Sequence, residues 1–196
     1  MSREIARNRY GSVAMAVHWL LALAISGMFV LGFLSAAAGD PAQKAAFLRL
    51  HVPLGALTLL MTIFLIVWLW VNRRPQALPE LPRWQAIAAR FVHFALYGLI
   101  VAIGVSGIGL MVLSGAPEIL FFGSSKALPD FQTYPPMMVH ATGAFILLGL
   151  IGLHIAAALH HQFVRRDYLL YRMGIGPNGQ TGEQRPAHPN TNLRVS

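Results

Sequence analysis

Four apolar stretches, each long enough to cross a bilayer, constrain this chain of 196 residues more than any other feature. A spanning helix needs about 20 apolar residues to traverse roughly 30 Å of hydrocarbon. The sequence meets that requirement at about 13–35, 51–71, 91–113 and 138–164, with polar, Pro/Gly-marked loops between. Only 11% of residues are charged and 56% are hydrophobic, whereas a soluble domain carries roughly a quarter charged residues. The predicted fold is therefore all-α: an integral membrane four-helix bundle over 1–173, surrounded by lipid, with no separate soluble domain. From Gly174 onward the sequence is rich in Gly, Pro and Asn and lacks apolar periodicity, so 174–196 is expected to be a disordered tail. His188 lies in that tail and is given no specific role.

The basic residues orient the bundle. Arg3, Arg7 and Arg9 precede the first span; Arg73, Arg74, Arg83 and Arg90 lie between the second and third; Arg165, Arg166, Arg172, Arg185 and Arg194 follow the fourth. The opposite loops hold only Lys44, Arg49 and Lys126, a split of twelve against three. The positive-inside rule then places both termini in the cytoplasm. A competing reading makes the first apolar run a cleaved secretory signal ending at Ala36-Ala37-Ala38. The run exceeds the usual signal core of about 7–15 residues, carries His18 and Trp19 near its start and precedes three more spans, so a retained helix is expected. The formal charge of +8 flanks apolar segments and forms no stripe with interleaved aromatics, so nucleic acid is not an expected partner.

Seven of the eight histidines lie in these spans or at their ends: His18, His51, His93, His140, His154, His160 and His161. Ionisable residues inside a membrane are rare and point to an internal functional site. Their depths are more informative than their number. His51 and His140 open the second and fourth spans on the same side. His154 follows His140 by 14 residues, which is about 21 Å along a helix and close to four full turns, so both face the interior. That depth also brings His154 level with His18, near the start of the first span. Two histidine pairs stacked one above the other result.

Each pair can supply two axial nitrogens to a haem iron in a dry slot. Cysteine is absent, which excludes thiolate sites and the covalent attachment of c-type haem. Zinc competes for histidines, but each layer has only two or three of them and no carboxylate or thiolate to complete a tetrahedral set. A helical transporter or scaffold whose histidines relay protons is a further alternative. Gly55, Gly143, Gly149 and Gly152 fit close approach by a cofactor, and fit ordinary small-residue helix packing equally well.

The segments RYGSVAMAVHWLLAL, LHVPLGALTLL, RWQAIAARFVHFALYGLIVAIGVSGIGL and VHATGAFILLGLIGLHIAAALHHQFVRRDYLLYRM together resemble the prokaryotic cytochrome b561 family over roughly residues 9–173. The resemblance implies a multi-pass cytochrome of the bacterial inner membrane with two b-type haems. His18 and His154 would bind the cytoplasmic-side haem, and His51 and His140 the outer one. His93 matches a recurrent family histidine and would stand beside a haem propionate or a quinone, with ligation of the inner haem as its alternative role. A quinone site, ubiquinone being the expected substrate, is implied near His161, two turns beyond His154 on the same face. Imidazole titrates near neutral pH and suits proton donation there, whereas headgroup contact is the competing role for His160 and His161.

Three positions depart from the family pattern. His160-His161-Gln162 stands where Lys-His-His is usual, Val67-Trp68-Leu69-Trp70-Val71 replaces a segment that often carries arginines, and Ala141 occupies a commonly acidic position. If the family's arginines there pair with haem propionates, Arg73, Arg74 or another group must do so here. Some relatives oxidise superoxide while reducing ubiquinone, and Lys44, Arg49 and Lys126 would form a thin basic funnel for that anion. The expected activity is electron transfer from an outer-side donor, superoxide or a redox protein, to a membrane quinone. The alternative is a cytochrome b anchor subunit of a larger dehydrogenase complex without activity of its own.

Overall fold

A computed structural model describes residues 10–72, 82–166 and 169–175, and among them there is helix and no strand. The predicted tail beyond Ile175, with His188, and the loop residues Arg73 and Arg74 fall outside the described residues. Among the described residues, four helices are long and apolar enough to span a membrane. They are α1 (Ser12–Ala37), α2 (Pro41–Val71), α3 (Arg83–Ser114) and, after the short helix α4 (Ala116–Phe121), α5 (Pro136–Leu159), which continues as a π-helical turn at His160–Arg165. Hydrocarbon offers the backbone no hydrogen-bonding partner, and a helix satisfies its N–H and C=O groups internally. Buried hydroxyls follow the same rule: Thr58 and Thr62 donate to the Leu54 and Thr58 carbonyls at 2.7 and 2.8 Å.

The helices overrun the predicted spans where capping chemistry allows it. α2 starts ten residues before the predicted boundary because Asp40 accepts from the Ala42 and Gln43 amides while Pro41 occupies the first turn. α3 starts at Arg83 rather than near residue 91. It ends at Gly115, whose φ of 64° places it in the left-handed region that glycine adopts without steric cost. Pro53 lies inside α2 and, lacking an N–H, leaves the Arg49 carbonyl without its helical donor.

α1 pairs chiefly with α2 and α3 with α5, while α2 against α3 joins the two pairs. Among the described residues α5 makes no comparable backbone approach to α1 or α2. The bundle is thus open along the line between α5 and the first helix pair, and the histidines project into that line. Outward faces carry large exposed apolar side chains, Leu23 at 72%, Phe94 at 77% and Trp70 at 86%, as a lipid-facing surface requires.

On the side away from the termini, α4 and the Phe131–Thr133 turn form a cap in which Leu110, Ala116, Leu120 and Phe131 pack together. Arg49 Nε donates to the Leu120 carbonyl at 2.7 Å, tying the start of α2 to the end of α4. Lys44 Nζ lies 5.9 Å from the Phe131 ring centroid. On the termini side, a 3-10 segment at Leu169–Met173 returns to α1, where Trp19 Nε1 donates to the Met173 carbonyl at 2.9 Å.

Candidate haem-binding site

Two layers of histidine bridge the gap between the helix pairs. In the far-side layer His51 of α2 faces His140 of α5 with ring centroids 6.1 Å apart and planes at 62°. In the termini-side layer His18 of α1 faces His154 of α5 at 6.4 Å and 59°. The depth argument from the sequence put these same residues at common levels. All four are half-buried, as expected for side chains lining a slot.

The spacing can be tested against a cofactor. With nitrogen–metal bonds of about 2 Å and roughly 1 Å from each nitrogen to its ring centroid, imidazoles trans to each other on one metal have centroids roughly 6 Å apart. Both pairs match that separation. No group of three or more His, Asp or Glu that could hold a free metal ion occurs among the described residues, so the donor set suits a metal whose other ligands come from a macrocycle better than it suits zinc.

His93 also reaches the termini-side layer. Its ring lies 5.1 Å from that of His154, nearly perpendicular to it, and Nδ1 is 2.7 Å from the Ala89 carbonyl. The separation from His154 is about 1 Å short of the trans-axial value derived above, and the ring is exposed. This geometry favours His18 over His93 as the partner of His154.

The far-side rings are seated differently. His140 Nδ1 donates to the Ile103 carbonyl of α3 at 3.0 Å. With that nitrogen carrying the proton, Nε2 keeps its lone pair for a metal. The Met28 backbone is the polar neighbour of the His51 ring, at a geometry looser than a full hydrogen bond to the buried Nδ1. Each ring rests against a glycine on a helix that carries no ligand at that level. A Cβ at Gly32 would sit 3.4 Å from His51 Cε1, and one at Gly107 would sit 3.2 Å from His140 Cε1.

Sequence reasoning pointed to other glycines. Gly143 packs against Ile103 and Gly55 against Met28, while Gly149 and Gly152 have nothing within 4 Å of a Cβ. Gly32 and Gly107 could have been found by placing every span residue, and not only histidine, at its depth.

At the end of α5 the helix widens. Arg166, at φ 56°, closes the π turn with its N–H on the His161 carbonyl. His161 is half-buried and His160 exposed, and their rings are 6.0 Å apart and nearly perpendicular. Gln162 Oε1 is buried without a partner, and Arg165 Nη1 donates to Gln85 Oε1 at 2.6 Å. π-Turns within helices occur frequently at functional sites. The α-helix expected over 138–164 therefore gives way at its last five residues, 160–164.

The sequence model of the prokaryotic cytochrome b561 family matches residues 9–176. The chain belongs to this family. Cytochrome b561 homolog 2 of Escherichia coli (strain K12) is 32% identical over 179 residues, covering 88% of this chain and 95% of that protein. Cytochrome b561 homolog 1 of the same organism is 26% identical over 176 residues, covering 85% and 97% respectively. Membership makes the chain a multi-pass bacterial membrane cytochrome, in contact with lipid, that carries haem b and transfers electrons. Among the described residues, the two histidine pairs have a spacing that fits such a group.

Proposed function

We propose that this cytochrome holds two b-type haems, one between His18 and His154 and one between His51 and His140, and carries electrons from a donor on the far side to a quinone at the termini side. The observation that carries the proposal is the pair of ring separations, 6.4 and 6.1 Å, in two layers on one face of α5. A b-type haem held by His18 with His154, or by His51 with His140, would supply one-electron chemistry.

The chain's own residues hold, orient and screen. α5 contributes a ligand to both layers, so one rigid rod fixes their separation. Ile103 orients His140 through its carbonyl, and Gly32 and Gly107 leave room for the rings to lie close to α1 and α3. Bilayer-facing Leu, Phe and Val keep water from the slot. His161 stands at the termini side as the proton donor that reduction of ubiquinone requires, with the π turn and Arg165 shaping the surrounding backbone.

The twelve-to-three distribution of basic residues supports a cytoplasmic location for both termini in the inner membrane, with His51 and His140 on the outer side. The donor there is superoxide or a redox protein. Lys44, Arg49 and Lys126 are matched on that side by Asp40, Glu118 and Asp130. Attraction of superoxide must therefore come from local placement of charge and not from a net positive face.

The decisive experiment is a visible spectrum, oxidised and dithionite-reduced, of the full chain purified in mild detergent, with a haem-to-protein ratio. About two b-type haems per chain are expected, and about one after His140→Ala. Folded, membrane-inserted protein without haem overturns the proposal. Rapid-mixing assays then separate the donors: superoxide removal with ubiquinone no faster than in haem-free protein eliminates superoxide.

A further inference from the structure

α3 supplies no ligand in the arrangement above, yet it builds a seat for His140. Ile103, Ser106 and Gly107 are spaced i, i+3 and i+4 and share one face of the helix. His140 Nδ1 lies 3.0 Å from the Ile103 carbonyl and 3.2 Å from Ser106 Oγ. Ser106 Oγ itself donates to the Ile103 carbonyl at 2.7 Å. A hydroxyl has one hydrogen, so its lone pairs are left to face Nδ1. The Nδ1–H is therefore shared between two oxygens, one of the backbone and one of a side chain. Gly107 completes the seat, since a Cβ there would be 3.4 Å from Nδ1.

The opposite ring has only the backbone part of such a seat: the Met28 backbone and Gly32 meet His51 much as Ile103 and Gly107 meet His140, and Leu31 stands at the position that Ser106 holds on α3. The side-chain oxygen of this layer is thus supplied from the α3 side alone among the described residues. An oxygen that accepts from Nδ1–H makes the imidazole a stronger donor through Nε2 and favours the more positive state of a bound metal. Ser106 is only 8% exposed, so solvent neither replaces nor dilutes its effect.

We propose that Ser106 is a positioning residue that, through His140, lowers the midpoint potential of the far-side haem relative to a site lacking the hydroxyl. The proposal rests on the reading of His140 as an axial ligand. The test is potentiometric titration of the full haem-loaded chain in detergent, comparing the parent with Ser106→Ala and Ser106→Thr. Ser106→Ala should retain two haems, raise the midpoint potential of one and leave the other in place, with a change in the low-temperature absorption of the shifted haem alone. Ser106→Thr, which keeps the hydroxyl, should stay near the parent.

Unchanged potentials in a two-haem Ser106→Ala protein overturn the inference, as does an equal shift of both haems. If the alanine variant does not fold, Ser106→Cys, similar in size but a weaker hydrogen-bond partner, is read by the same criteria. His140→Ala separates the two levels of the argument. Retention of both haems there removes the ligand reading itself, whereas loss of one haem combined with an inert Ser106→Ala removes only the role of Ser106.

Discussion

A pair of glycine substitutions in α5 tests whether α3 and α5 are packed as tightly as the seat of His140 demands. A Cβ at Gly143 would stand 2.9 Å from Ile103 Cγ1 and 3.4 Å from its Cδ1. The nearer atom cannot swing aside, because the β-branched side chain of a helical isoleucine is nearly fixed at χ1. Gly149 lies nine residues after His140, about half a turn around the helix from it, and a Cβ there meets nothing within 4 Å. Both substitutions to alanine gain the same helix propensity, up to about 1 kcal/mol. Their difference therefore isolates overpacking, which costs about 1–3 kcal/mol in a well-packed interior. Gly143→Ala should accordingly be less stable than Gly149→Ala by that amount in detergent-driven unfolding followed by helicity. Ile103 also carries the carbonyl that binds His140, so Gly143→Ala should perturb the absorption of one haem and Gly149→Ala of neither. Equal stability of the two variants, or the reverse order, would refute the packing argument.

Three further outcomes are expected. His93→Phe should keep about two haems per chain, because His93 is only 5.1 Å from His154; loss of one haem would make it a ligand. Arg49→Ala removes the 2.7 Å bond to the Leu120 carbonyl and should cost about 1.5 kcal/mol, the low end for a bond from a charged group at a partly buried contact. An unchanged unfolding midpoint would show that α4 is held without it. Because the chain has no cysteine, Asn72→Cys and Ser125→Cys can each be labelled singly in intact cells. Only Ser125→Cys should react with a membrane-impermeant reagent added outside, and the opposite pattern would invert the proposed orientation.

The parts of this molecule that could be read from its sequence are those fixed by helix rise and by antiparallel direction. Both scale with residue number, so four apolar runs and the depths of His18, His51, His140 and His154 follow from counting. The true starts of α2 and α3 lie beyond the apolar runs, since hydropathy marks where lipid ends and not where a helix must. Asp40 and Pro41 are good residues for a helix start, but a boundary drawn on hydropathy takes no account of caps. Depth alone also could not choose between His18 and His93 opposite His154, because rotation about α1 and α3 is set by packing against neighbouring helices.

The seat of His140 was hidden for a different reason. Its principal acceptor is the backbone carbonyl of Ile103, a group that every residue possesses and that no sequence pattern distinguishes. What sets this carbonyl apart is its surroundings: Gly107 one turn later admits the ring, Gly143 across the interface admits Ile103, and Ser106 adds a second oxygen. In a helix bundle the side chains that bind a cofactor are therefore legible as unusual residues at matched depths. The helix that tunes them is legible only as a coincidence of small and hydroxylated residues at that same depth, and the coincidence has meaning once the rotation of the helix is known.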